Sequence, residues 1–381
     1  MLKKRLLWMF FLFLFLLLSP TISINAENQQ ASAMMEQLDL ESLNVELKNL
    51  FPEYQLNFGE LVKNISNGKI KLNVELIFDM IKKGILGETS ESGKIFVSIL
   101  VIGLLSALFS NFSQIFENHQ IADIGFYFLY MLLIVILVKT FETGYRITGS
   151  VVNQIVLFMK LLIPTFFIVV GAASGSLTAF SFYQLTLFVI LAVEMILLSV
   201  LLPLSSSYLF LTVVNGLNEE ERLHTLLELI QKGINLILKL LLGFIGGIGL
   251  LQTMITPVID GLKVGVVKKT ISLIPGLGNI ADSVTEVVLG SALLIKNSIG
   301  VALMLLLLFL CLLPLIKIAC LTCLLKVSAA LMGMVADKRM TACTNRIGDA
   351  VYLLLKIALT ALSLFLITVA IVTAATGIGK R

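Results

Sequence analysis

The sequence has little of what soluble enzymes use for chemistry. Its two histidines, His119 and His224, lie far apart and match no metal-binding spacing. Four cysteines (Cys311, Cys320, Cys323 and Cys343) all fall in the last quarter, so no disulfide framework can form before Cys311. Cys320 and Cys323 have redox or metal spacing, but they sit in an apolar run with no second pair and no histidine nearby, and read as packing residues. No Gly-x-x-x-x-Gly-Lys-Ser/Thr stretch occurs, which excludes ATP binding through a P-loop. The glycine-rich Gly243–Gly249 lacks the strand and acidic residue of a dinucleotide fold and reads as a small-residue packing face. No Ser, Cys or Thr is set with a base and an orienting acid. Charge is scarce: 14% of residues, against about 25% in an ordinary soluble domain. The net charge of +4 is too modest for a nucleic-acid partner.

What is present is apolar surface. Hydrophobic residues make up 58% of the 381, and the mean hydropathy is +1.00. One soluble core could not hide so much, so lipid must cover it. The composition and the helix-length apolar runs predict an all-α, polytopic membrane protein with about six to eight membrane segments and a small helical extracytoplasmic N-terminal region.

The first 26 residues read as a signal peptide. Lys3, Lys4 and Arg5 precede the apolar Leu6–Leu18, which is short for a span, and Ser23 and Ala26 offer small residues for cleavage. Residues 27–93 then form the one long polar stretch, with eleven acidic residues against six lysines. Helices are expected around Leu38–Phe51 and over Leu72–Leu86, where Leu72, Leu76, Ile77, Met80 and Ile81 repeat at helical spacing. After a signal peptide this region lies outside the cytoplasm, and its apolar face needs a cover.

Residues 94–381 read as the transmembrane domain. Spans are expected near 95–116, 125–141, 149–172, 181–214, 234–256, 298–330 and 350–376, with polar loops at Glu117–Asp123 and Glu142–Arg146. Pro203 is expected to break the overlong 181–214 run. Residues 217–233 read as an interfacial amphipathic helix or a solvated connector, with Asn218 as N-cap before three glutamates. Residues 257–297 are polar and irregular for a membrane segment, carrying Pro257, Pro275, Lys268, Lys269, Asp282, Glu286 and Lys296, and suit a helix buried in protein or lining a polar cavity. Five crossings would place Lys263, Lys268 and Lys269 in the cytoplasm. Keeping Lys338, Arg339 and Arg346 inside as well requires either a hairpin near Pro314 or a crossing by 276–297.

The intramembrane polar candidates are Glu194, Asp282, Glu286, Lys296, Lys160, Lys239 and Lys317. Glu194 lies mid-run, where an ionised carboxylate costs at least a few kcal/mol without a partner, water or a proton. It is either a residue of an ion, proton or substrate path or half of a pair with Lys160 or Lys239. Packing or interfacial snorkelling accounts for Lys160, Lys239, Lys317 and Lys326 more simply than transport chemistry does. No catalytic, metal or cofactor-binding residue emerges.

The order of features from Lys94 onward resembles the stage III sporulation protein AE family of endospore-forming bacteria. The run Ile274-Pro-Gly-Leu-Gly-Asn279-Ile-Ala-Asp282-Ser-Val-Thr-Glu286 carries the resemblance best, continuing through Ser291, Lys296, Asn297 and Gly300. Leu313-Pro314-Leu-Ile-Lys317 and Leu325-Lys326-Val-Ser-Ala-Ala330 follow in the expected order. The resemblance implies a non-enzymatic subunit of a channel-like complex joining mother cell and engulfed forespore, seated in the outer forespore membrane and needed after engulfment. It also implies other sporulation-channel membrane subunits and a separate secretion-type ATPase as partners, and it brings no catalytic residues. The rival readings are a free-standing secondary transporter and a permease driven by a separate ATPase.

Overall fold

The computed structural model describes residues 44–45, 58–66, 93–109, 119–174, 177–217, 223–271 and 278–375, with side chains except at 119–123, 162–163, 165–183, 252–253, 255–296 and 374–375. Every described element is helical. In chain order these are α1 (Phe58–Ser66), α2 (Gly93–Phe109), α3 (His119–Ser174), α4 (Leu177–Met195), a π-helical turn (Ile196–Leu201), α5 (Leu202–Leu217), α6 (His224–Ile271), α7 (Gly278–Met332) and α8 (Lys338–Ala375).

Five stretches among the described residues are long and apolar enough to cross a bilayer: Ile124–Leu161, Gln184–Leu217, His224–Leu251, Asn297–Met332 and Lys338–Thr373. Among the described residues the count is therefore lower than the expected six to eight. The 125–141 and 149–172 segments, expected as two spans around a polar loop, are one uninterrupted helix, α3. The polar residues from Glu142 to Arg146 do not break it, because Glu142 and Arg146 sit one turn apart and pair at 3.5 Å on its outer side. Nor does Pro314 turn 298–330 into a hairpin; it lies inside the single helix α7. Pro203 does not separate α4 from α5. Just before it the backbone widens into the π-helical turn, where Leu202 N–H bonds to the Leu197 carbonyl, so the chain passes the proline without losing its helical course. Residues 224–233 form the first turns of α6 and run without a break into the span, while 218–222 lie outside the described residues.

Close approaches give the direction of each helix. Gly216 on α5 abuts the Tyr130 hydroxyl on α3, Gly149 on α3 lies by Leu202, and Lys160 pairs with Glu194. So α3 and the α4–α5 unit run antiparallel. Gly300 on α7 meets Thr373 and Lys326 meets Asp349, which sets α7 antiparallel to α8. Asn235 bonds Lys356 and Gly249 meets Ile371, so α6 runs parallel to α8. Arg339 lies over Phe126 and Gly144 against Val351 and Leu354, so α3 is parallel to α8 too. Successive spans thus alternate in direction.

α8 is the centre, touching α3, α5, α6 and α7. Ile347, Val351, Leu354, Ile357, Ala358, Ala361 and Leu364 on it are fully enclosed. Its start is fixed by Asp337, whose carboxylate accepts from the Arg339 backbone N–H at 2.7 Å. Four buried threonines are satisfied locally: Thr148, Thr212, Thr322 and Thr344 each donate to the carbonyl four residues earlier, at 2.8 to 2.9 Å. In the polar N-terminal region, α1 packs on α7, burying Phe58 and Val62, and Asn44 accepts the Phe58 N–H at 2.7 Å. The helices expected at Leu38–Phe51 and Leu72–Leu86 lie, apart from Asn44 and Val45, outside the described residues.

Candidate polar sites in the membrane bundle

The first site joins α3 to α4. Lys160 Nζ donates to Glu194 Oε2 at 3.0 Å, with the two side chains 41% and 26% exposed. Of the two lysines open to Glu194, the fold brings it Lys160. Lys239 stands exposed on the outer side of α6, and Lys317 is half-buried on α7. In a bilayer, an ion pair at this spacing replaces two isolated desolvated charges with one charge-assisted hydrogen bond.

The second site locks α7 to α8. Lys326 Nζ reaches Asp349 Oδ1 at 2.8 Å, the Asn345 side-chain oxygen at 2.7 Å and the Asn345 carbonyl at 2.9 Å. All three ammonium protons therefore have acceptors, the condition under which a partly buried lysine keeps its charge. Gly348 permits this geometry, since a side chain there would press on the Lys326 stem at 3.3 Å.

The third site joins α8 to α6. Lys356 Nζ donates to Asn235 Oδ1 at 2.7 Å and lies 4.7 Å from the Tyr352 ring centre, a cation–π contact. Asn235 is oriented by its own amide, which donates to the Gln231 carbonyl at 2.6 Å. Near the α7–α8 turn, the Arg339 guanidinium sits 4.1 Å over the Phe126 ring.

Sequence reasoning missed Asp349, Lys356 and Asn235. Asn235 and Lys356 are 121 residues apart, so no local spacing signals the contact. Of the expected candidates, Asp282, Glu286 and Lys296 lie on the helical backbone of α7, but their side chains are outside the described residues. All four cysteines are free, and among the described residues no group of three or more His, Cys, Asp or Glu is placed to hold a metal.

Long apolar helices of alternating direction, tied to one another by a few ionic and polar contacts, define a polytopic α-helical membrane protein. The chain belongs to the stage III sporulation protein AE family, whose sequence profile matches residues 56–376. A relative from Bacillus subtilis (strain 168), Stage III sporulation protein AE, is 23% identical over 332 residues, covering 86% of this chain and 82% of that protein. No solved structure matches. The chain is thus a membrane protein of a sporulation family.

Proposed function

We propose that the chain is a non-enzymatic, multi-pass subunit of a channel-like complex between mother cell and forespore, seated in the outer forespore membrane and required after engulfment. The observation that carries this reading is the family match over residues 56–376, which takes in all five candidate spans. Two features support a subunit over a self-contained machine. The sequence has no P-loop, so energy would come from a separate ATPase, of the secretion type. Inverted-repeat transporters carry matching broken helices in two equal halves. Five candidate spans among the described residues do not divide that way, and the polar contacts are spread over three different helix pairs.

The test is a tagged chain, gently solubilised from sporulating cells, with co-purifying membrane proteins identified. Recovery of the other channel subunits and the ATPase is the expected result. Recovery of this chain alone as a stable homo-oligomer would replace the reading with a free-standing transporter, and recovery with an ATPase only would replace it with a permease.

A further inference from the structure

The outer face of α3 changes character along its length. From Ile124 to Val135 it exposes Ile124, Phe128, Leu132 and Val135. One turn later the same side exposes Lys139, Glu142, Thr143, Arg146, Ser150 and Asn153, which share one face at helical spacing. Glu142 and Arg146, joined at 3.5 Å, are 58% and 72% exposed. The opposite side of this stretch is core: Phe141, Val151, Val152, Ile155 and Met159 are buried. The polar stripe is therefore not a helix end trailing into solvent but one side of a helix packed into the bundle.

Its height is fixed by contacts. Gly149 lies beside Leu202 and Gly144 beside Val351 and Leu354, and two residues further along α8, Lys356 bonds Asn235. At that height the neighbouring outer faces are largely apolar, though Ser207 on α5 and Lys239 on α6 are exposed among them. Val200 and Phe210 on the α4–α5 side are 45% and 64% exposed, and Leu236 and Leu240 on α6 are 57% and 61% exposed. If lipid covers Phe210 and Leu240, it reaches the level of Thr143 and Ser150. Hydrocarbon against Lys139, Glu142 and Arg146 would cost several kcal/mol. Among the described residues, nothing in this chain covers the stripe.

We propose that the Lys139–Asn153 face of α3 lines a water-filled vestibule at membrane depth, completed by neighbouring subunits and closed toward the N-terminal end of α3 by Ile124–Val135. With one acidic group between two basic ones, beside hydroxyl and amide side chains, the wall is hydrophilic and nearly neutral. That suits water better than a single oppositely charged helix. Lys160, paired with Glu194 farther along α3, stands at the vestibule's far end. The polar stripe from Lys139 to Asn153 is about 21 Å long at 1.5 Å per residue, and beyond it Leu157 is exposed on the same side. This inference rests on the channel-subunit reading and names the part of the chain that would meet the channel's water.

Cysteine accessibility tests it. Thr143→Cys, Ser150→Cys and Asn153→Cys are made singly in the full chain, with Phe210→Cys and Leu240→Cys as controls at the same height. Cys320 and Cys323 are changed to serine, and that parent is the blank. A small, charged, membrane-impermeant thiosulfonate is added to opened membranes from sporulating cells holding the whole complex. The three stripe positions are expected to react more than about tenfold faster than the controls, because only a hydrated thiol ionises to the reactive thiolate. Reaction no faster than at the controls, in variants made at normal abundance, would overturn the vestibule. Fast labelling with no co-purifying subunits would sink the complex and keep the hydrated face; slow labelling with the complex intact would sink the vestibule alone.

Discussion

α8 and α6 lie side by side, run in the same direction and are both apolar, yet they are used differently. The most apolar stretch of α8 has 61% of its residues buried inside the chain, that of α6 only 28%. Lipid tails are as apolar as leucine, so hydropathy cannot send one helix inside and leave the other out. Residue size and polar bonding can. α8 places Ala350, Ala358, Ala361, Thr344 and Thr360 at its buried positions and contributes Asp349 and Lys356 to contacts with two other helices. α6 turns Leu229, Leu236, Leu240, Phe244 and Leu250 outward. Gly243, Gly246 and Gly247 on α6 meet open space, whereas Gly249 is pressed against Ile371 of α8. The buried helix thus mixes small side chains with large apolar ones and carries polar contacts to its neighbours, whereas α6 turns large apolar residues outward.

The contrast can be broken most severely in the core. Phe365→Ala on α8, where the ring is 1% exposed, should cost about 3 kcal/mol or more. Phe244→Ala on α6, 61% exposed, should change little; thermal unfolding of the purified protein measures both. Next come the glycines: Gly249→Leu should destabilise by about 1–3 kcal/mol through overpacking against Ile371, while Gly243→Leu should be tolerated by the isolated chain. Asp349→Ala removes the counter-ion of Lys326, whose side chain is 34% exposed and keeps only its Asn345 acceptors, and should lower stability by about 1–2 kcal/mol. The double change Lys326→Met with Asp349→Leu should recover most of that loss; an additive loss would show that the pair does not bind α7 to α8. Glu194→Gln should have the smallest effect, under about 1 kcal/mol, because glutamine still offers Lys160 a hydrogen-bond acceptor. A fall in spore yield at normal protein abundance would then assign Glu194 a functional role. A fall in abundance, corrected by a change at Lys160, would make the pair structural.

Membrane character was legible because it is a property of composition, and most span positions follow from apolar runs long enough to cross. Helix continuity was not. Pro203 reads as a break and Pro314 as a candidate hairpin turn, but both sit in continuous helical backbone, with a π-helical turn just before Pro203. Glu142–Arg146 reads as a loop because none of its five residues carries an apolar aliphatic side chain. Only the fold reveals that the charged ones share an outer face while Phe141 points to the core. Glu194 stood out in sequence because it is an isolated charge in an apolar run, and Lys160 was among its two expected partners. Asp349 lies near the basic cluster at the start of α8 and so drew no notice. Asn235 and Lys356 meet only through the packing of α6 on α8.

The single crossing by α3 carries the five-span bundle and the placement of its polar face, and paired topology reporters test it most directly. Reporters inserted after residues 121 and 175 should read opposite compartments, with 220 and 335 matching 121, and 275 matching 175. The same compartment at 121 and 175 would mean that the chain turns back near Glu142–Arg146, and would contradict the continuous helix.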